Sequence, residues 1–334
     1  MRSQTLGQTG ITTSALGFGC VRLTSHPSRA EAVRLLEHAF DCGITHFDIA
    51  RAYGFGRAEG ILGEFLRGKR QRVTVATKLG LQPPGGAAGN RWLIDAAKKV
   101  LSPFPSLLQR ARRHGAAATT EDFSPQAAIQ SLHTSLRELH TGYVDLLLLH
   151  EAALADAANA DLLDALQKEI SAGTVRALGI ASDFRKLEKD AASLPPAYKI
   201  LQFNDNTMER NICTLANCGG RSSITHSIFK PASQIRESAK VQPGVVKDFS
   251  TKIDTDLNDP AVIGSLLLHY ALHSNPSGVV LFSSMNPDRI AANVRAAGSP
   301  AWDEIQLAHF QQFVDAIVSA GQPQPTNAAT INAS

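Results

Sequence analysis

Four side chains of complementary chemistry stand where apolar runs of this 334-residue chain end. Asp48 lies within the run 45–50, with Tyr53 just beyond it. Lys78 closes the run 73–78, and His150 follows the run 143–149. Singly, each type is common at a strand end; together they form a device for delivering a proton. A phenol with its usual pKa near 10 is a poor acid at neutral pH. A neighbouring ammonium favours the phenolate and lowers that value toward the useful range. Asp48 is expected to pair with Lys78 and keep it charged. His150 is expected to donate to a substrate oxygen and hold it near the Tyr53 hydroxyl.

Such a device needs strand ends that converge on one place. The chain alternates short apolar runs with helical patterns, the rhythm of βαβ units. Strands are predicted over 14–20, 45–50, 73–78, 143–149, 175–181, 200–203, 223–229 and 279–282. Helices are predicted between them, and a further one over 302–320. The first helix opens at Ser28 with Glu31 three residues on, a capping-box pattern, and Gly43 ends it as a left-handed C-terminal glycine would.

The segment Gly54-Phe55-Gly56-Arg57-Ala58-Glu59-Gly60 imitates a dinucleotide-binding loop, but its last glycine stands one residue too far. Eight strands without that fingerprint predict an α/β protein folded as a (β/α)8 TIM barrel, whose active residues sit at the C-terminal strand ends. One domain is expected over 1–321. Long βα loops over 81–124 and 230–259 would be inserted above the barrel mouth and shape a pocket, and 322–334 would form a disordered tail.

Composition removes other classes. A formal charge of +3, dispersed along the chain, gives no footprint for nucleic acid. No run approaches the ~18 apolar residues of a membrane span, and the polar start has no secretory core, so a cytoplasmic protein is expected. Of the four cysteines, Cys213 and Cys218 have a loose chelating spacing but lack a second pair, so no metal is expected.

The run from Gly43 through Asp48-Ile49-Ala50-Arg51-Ala52-Tyr53-Gly54, with Glu59 and Leu62-Gly63 following, resembles the signature of the aldo-keto reductases. Asp48, Tyr53, Lys78 and His150 match that family's catalytic tetrad. The resemblance implies a barrel, an extended nicotinamide cofactor and a small-molecule carbonyl or alcohol substrate. Hydride would pass to the carbonyl carbon while Tyr53 protonates the oxygen. It further implies that Gly19, Cys20, Asp48 and Phe229 face the cofactor.

Ser182, Asp183 and Gln202 occupy the positions that hold the carboxamide, although Asp183 replaces an asparagine. The tyrosine that stacks on the nicotinamide is replaced, with Asp205 the candidate for its position. Ser283, Ser284, Met285, Arg289 and Asn293 resemble the segment that holds the adenosine phosphate. Arg289 favours NADPH, while Ser283 in place of a lysine and the neighbouring Asp288 leave NADH open. Val21, Phe55 and Trp92 are the expected substrate-pocket walls, wide enough for a bulky ketone or aldehyde. Alternatives are NAD-dependent oxidation of an alcohol or sugar, and a cofactor-binding regulatory subunit with little turnover. The oligomeric state is not set by the sequence.

Overall fold

A computed structural model describes residues 1–83, 120–215, 220–299 and 302–319. Eight strands form a closed barrel: β1 (Leu16–Gly19), β2 (His46–Asp48), β3 (Thr74–Leu79), β4 (Val144–His150), β5 (Val175–Ala181), β6 (Tyr198–Asn204), β7 (Ser222–His226) and β8 (Val279–Phe282). Each pairs in parallel with its neighbours, and β8 closes on β1 with Val280 opposite Leu16. Helices between and after the strands are α1 (Arg29–Asp41), α2 (Ala58–Leu66), α3 (Pro125–Glu138), α4 (Ala160–Ser171), α5 (Phe184–Asp190), α6 (Ala232–Lys240), α7 (Pro243–Ile253), α8 (Pro260–Ser274), α9 (Pro287–Gly298) and α10 (Glu304–Ser319). The predicted fold class is the one observed.

Local chemistry explains the boundaries. Ser28 caps α1 by accepting from the Glu31 amide at 3.2 Å, and Gly43 takes φ +97° beyond the helix end. Strand alternation then sorts side chains between two cores. Phe18 and Phe47 face outward, where Phe47 packs on Phe65 of α2 with ring centroids 4.9 Å apart. Leu146, Leu148, Ile200, Ile224 and Leu281 point inward and fill the barrel. An N-terminal hairpin, Ser3–Thr5 paired with Thr12–Ser14, adds the fully buried Leu6 and Ile11 to that filling from the β1 entry end. The barrel is therefore solid below its C-terminal mouth, with His46 buried in that filling, and the polar side chains of the site gather at the top.

Three expectations change. The run 14–20 divides, because Thr12–Ser14 belongs to the hairpin and Cys20 already begins a 3-10 turn. The run 223–229 stops pairing at His226, since Ser227 turns into positive φ. The stretch 230–259 is largely helical, built from α6 and α7 rather than an open loop. Its Ile235, Val246 and Ile253 pack with Phe310, Phe313 and Ile317 of α10, burying faces that a loop would leave wet. Of the 81–124 excursion, Leu81–Gln82 and Thr120–Glu121 pair as a short antiparallel ribbon; 84–119 and the tail lie outside the described residues.

Candidate active site

Asp48 ends β2, Lys78 is next to last in β3 and His150 ends β4, so parallel register brings all three to one rim. Tyr53 reaches the same rim from a turn, Tyr53–Gly56, in which Gly54 and Phe55 both adopt left-handed backbone. A Cβ on Gly54 would collide with Thr24, so glycine is needed there for space as well as conformation. The turn is tied down from beneath. Arg51 donates to the Gly56 carbonyl at 3.2 Å and to Glu59 at 3.3 Å, and the same buried carboxylate accepts from Thr77, next to Lys78, at 2.7 Å.

Lys78 is the hub. Its ammonium donates to Asp48 Oδ1 at 2.6 Å, to the Ile49 carbonyl at 3.0 Å and to Tyr53 Oη at 3.3 Å. The other oxygen of Asp48 accepts from Gln202 Nε2 at 2.7 Å. Asp48 and Lys78 are only 4% and 3% exposed, so this charge pair is held away from bulk water. Burial works against the Lys78 cation, but Asp48 and Tyr53 lift its pKa above the ordinary lysine value.

For Tyr53 the balance runs opposite to expectation. Burial raises its pKa, and the nearby ammonium offsets only part of that rise. A phenol in an enclosed site loses more from desolvation of its anion than one shared ammonium returns. His150 stands with its ring edge-on to Tyr53, centroids 6.2 Å apart. Burial, aided by Lys78, pushes its pKa down to about 3, so the imidazole is neutral at physiological pH.

These groups open into a cavity of about 800 Å3. It brings together the predicted Gly19, Val21, Ser182, Asp183, Gln202, Phe229 and Ser283 with the tetrad. A second cavity of about 1260 Å3 shares Phe229 and Ser283 with the first, and holds Ser284, Met285, Arg289 and Asn293. Arg22, Arg236 and Lys240 join Arg289 in its lining, giving an extended groove with a cationic far end. Asn286 caps α9 there, its side-chain oxygen accepting from Asp288 N at 2.8 Å.

Not every predicted residue arrives. Cys20 is fully buried, its thiol donating to the Phe18 carbonyl at 3.7 Å, and lines neither cavity. Asp205 is also buried, one oxygen accepting from Ile212 N at 2.9 Å, so it does not stand in for a ring over the cofactor. Phe55 lies in neither cavity lining. Trp92 falls outside the described residues.

His226 went unread. It ends β7 beside Asn204 of β6 and lines the first cavity. Parity would have found it, because Ile224 points inward and His226 is two residues on. Glu151, Arg185 and Lys230 line the same cavity and also went unread. Among the described residues no cluster of acidic, histidine or cysteine side chains could hold a metal ion. None of their helices is long and apolar enough to cross a membrane.

The fold and rim define a parallel-barrel oxidoreductase class, and comparison with known proteins gives its family. The model of the aldo/keto reductase family matches residues 15–229. Pyridoxal 4-dehydrogenase of Microbacterium luteolum is 29% identical over 67% of this chain and 69% of its own length. D-threo-aldose 1-dehydrogenase of a Pseudomonas species is 34% identical over 52% of this chain and 51% of its own length. An aldo-keto reductase from Bacillus halodurans, in its holo form, superposes with a TM-score of 0.70 at 20% identity, covering 94% of this chain and 96% of that one. The chain belongs to the aldo/keto reductase family and is an NAD(P)H-dependent oxidoreductase.

Proposed function

We propose that this protein reduces an aldehyde or ketone to the alcohol with NADPH, Tyr53 acting as general acid. The observation that carries the reading is the single ammonium of Lys78 bonded at once to Asp48 and to Tyr53 Oη, at the floor of a cavity that His150 also faces. Bound NADPH supplies the hydride to the carbonyl carbon. The groove fits such a cofactor: polar side chains stand by the tetrad, and Arg22, Arg236, Lys240 and Arg289 at the far end suit a phosphate-rich tail.

The chain's own groups then divide the work. Neutral His150 has one N–H to hold the carbonyl oxygen. Tyr53 gives that oxygen its proton, and Lys78 stabilises the phenolate left behind. Asp48 holds the ammonium between them, and Gln202 and the buried wall fix Asp48 in turn. Because burial keeps Tyr53 protonated well above neutrality, the acid form is available throughout the physiological range. The cavity volume accommodates a bulky carbonyl compound.

A second reading runs the same geometry in reverse, oxidising an alcohol or sugar with NAD, Tyr53 phenolate taking the proton. The dehydrogenase names of two relatives favour it. Both readings are tested by following NADPH and NADH turnover over a panel of aldehydes, ketones, alcohols and sugars, beside Tyr53→Phe. The variant should lose on the order of a hundredfold or more in kcat while retaining cofactor affinity. A variant as fast as the parent would remove Tyr53 from the chemistry. Faster NAD-linked oxidation than NADPH-linked reduction would favour the second reading.

A further inference from the structure

Behind the tetrad lies a second charge pair that lines neither cavity, formed by Arg51 and Glu59. Glu59, in the first turn of α2, is wholly buried, and the Arg51 side chain is only 12% exposed. Arg51 Nη1 donates to Glu59 Oε2 at 3.3 Å and to the Gly56 carbonyl at 3.2 Å. The other carboxylate oxygen accepts from the Thr77 hydroxyl at 2.7 Å, and Ser135 of α3 bonds the carboxylate as well. Burial raises the Glu59 pKa, and Ser135, Thr77 and Arg51 offset part of that rise.

These bonds join the two segments that supply Tyr53 and Lys78. Thr77 directly precedes Lys78 in β3. Arg51 stands inside the turn that delivers Tyr53, whose amide donates to the Ala50 carbonyl at 3.0 Å. One carboxylate is thereby tied to both sides of the Tyr53–Lys78 contact, itself 3.3 Å long. The Tyr53 side needs holding, because Gly54 and Phe55 take φ +58° in succession. Left-handed backbone is costly for Phe55, which carries a Cβ. Such strain persists only where the surroundings over-determine it. Arg57 grips the Gly54 carbonyl at 3.3 Å, and Arg51, fixed by Glu59, grips that of Gly56.

We infer that Arg51 and Glu59 are positioning residues for proton transfer: the pair holds the Tyr53 turn in its strained form and so keeps Tyr53 Oη within bonding distance of Lys78. This role rests on Tyr53 being the proton donor, as proposed above. A buried ion pair brings little net stability over an apolar pair of the same shape. What an apolar pair would not supply is the grip on the Gly56 carbonyl and the Thr77 hydroxyl. With the pair broken the turn relaxes, and the phenol moves off its place between Lys78 and the substrate oxygen. A displacement of about 1 Å in a reacting group can cost on the order of a hundredfold in rate. Because neither side chain faces a cavity, cofactor and carbonyl still bind.

The test is a double-mutant cycle on kcat, with NADPH and whichever carbonyl of the panel above, p-nitrobenzaldehyde among them, is reduced fastest. Glu59→Gln keeps an acceptor for Thr77 but removes the charge that fixes Arg51. Arg51→Met/Glu59→Gln strands no charge and so guards against loss of folding. Each is made in the parent and in Tyr53→Phe. In the parent, both should lower kcat at least about tenfold, with KM and the NADPH Kd held to within about twofold. In Tyr53→Phe the same changes should alter the residual rate by less than about twofold, because the group they position is gone. Equal losses in both backgrounds, or variants as fast as the parent, would overturn the positioning role. NADPH binding that weakens in step with kcat, or loss of folding in both variants, would mark a purely structural pair and overturn it too. A parent that reduces no carbonyl, or Tyr53→Phe as fast as the parent, would instead overturn the proposed function, and this role with it.

Discussion

Removing the Lys78 ammonium tests the physical basis of the site most directly. Lys78→Met keeps the length and apolar stem of the side chain but deletes a donor with three acceptors, at 2.6, 3.0 and 3.3 Å. Asp48 is then a carboxylate at 4% exposure with Gln202 as its remaining side-chain partner. Breaking a buried pair by removing one partner costs on the order of 3–5 kcal/mol, because an uncompensated charge remains in a poorly solvated place. Asp48→Asn leaves the ammonium two of its three acceptors and should cost less, about 2–4 kcal/mol.

The double variant Lys78→Met/Asp48→Asn strands no charge. It should therefore be more stable than the sum of the singles predicts, by about 2–3 kcal/mol of coupling. Urea unfolding at pH 7, followed by far-UV circular dichroism on the four proteins, measures this, provided the slopes agree. Single effects that simply add, to within about 0.5 kcal/mol, would refute the account of Asp48 and Lys78 as one desolvated ion pair.

Two pH experiments follow from the buried imidazoles. His150 has its pKa pushed down to about 3, so kcat/KM for carbonyl reduction should show no acid limb attributable to it between pH 5 and pH 8; a limb near 6 that disappears in His150→Asn would contradict a neutral imidazole. His46, inside the barrel beneath Asp48, is fully buried with neither ring nitrogen bonded, and burial pushes its pKa down from 6.5 to about 4. Its folded value lies below the unfolded one, so the unfolded chain takes up the proton first. Stability is then intact above pH 6.5 and falls as pH drops toward 4, by about 3 kcal/mol from this residue. Urea midpoints of the parent should fall increasingly below those of His46→Leu as pH drops across that range; parallel curves would show that His46 is not the source.

Much of this protein is written in local sequence. The apolar run through Leu146 to Leu149 is a doubly buried strand by composition alone. Ser28 and Gly43 mark the ends of α1 by cap chemistry that depends on adjacent residues only. Asp48, Tyr53, Lys78 and His150 were legible because strand ends in a parallel barrel meet at one rim, whatever the intervening loops do.

What only the tertiary structure decided is the setting of each group, since desolvation and partners come from segments far apart in the chain. Gln202 reaches Asp48 across 154 positions, a bond that no spacing rule contains. Tyr53 has its pKa raised because burial outweighs its ammonium, a sum over the whole enclosure. Asp205 turned away into the interior and His226 took a place at the cavity, because the end of each strand's pairing sets the parity beyond it. The helices α6 and α7 became more than a loop only once α10, from the far end of the chain, offered Phe310 and Phe313 to bury against. Local sequence fixed which residues could act; the packing of distant segments fixed their charge, their orientation and their neighbours.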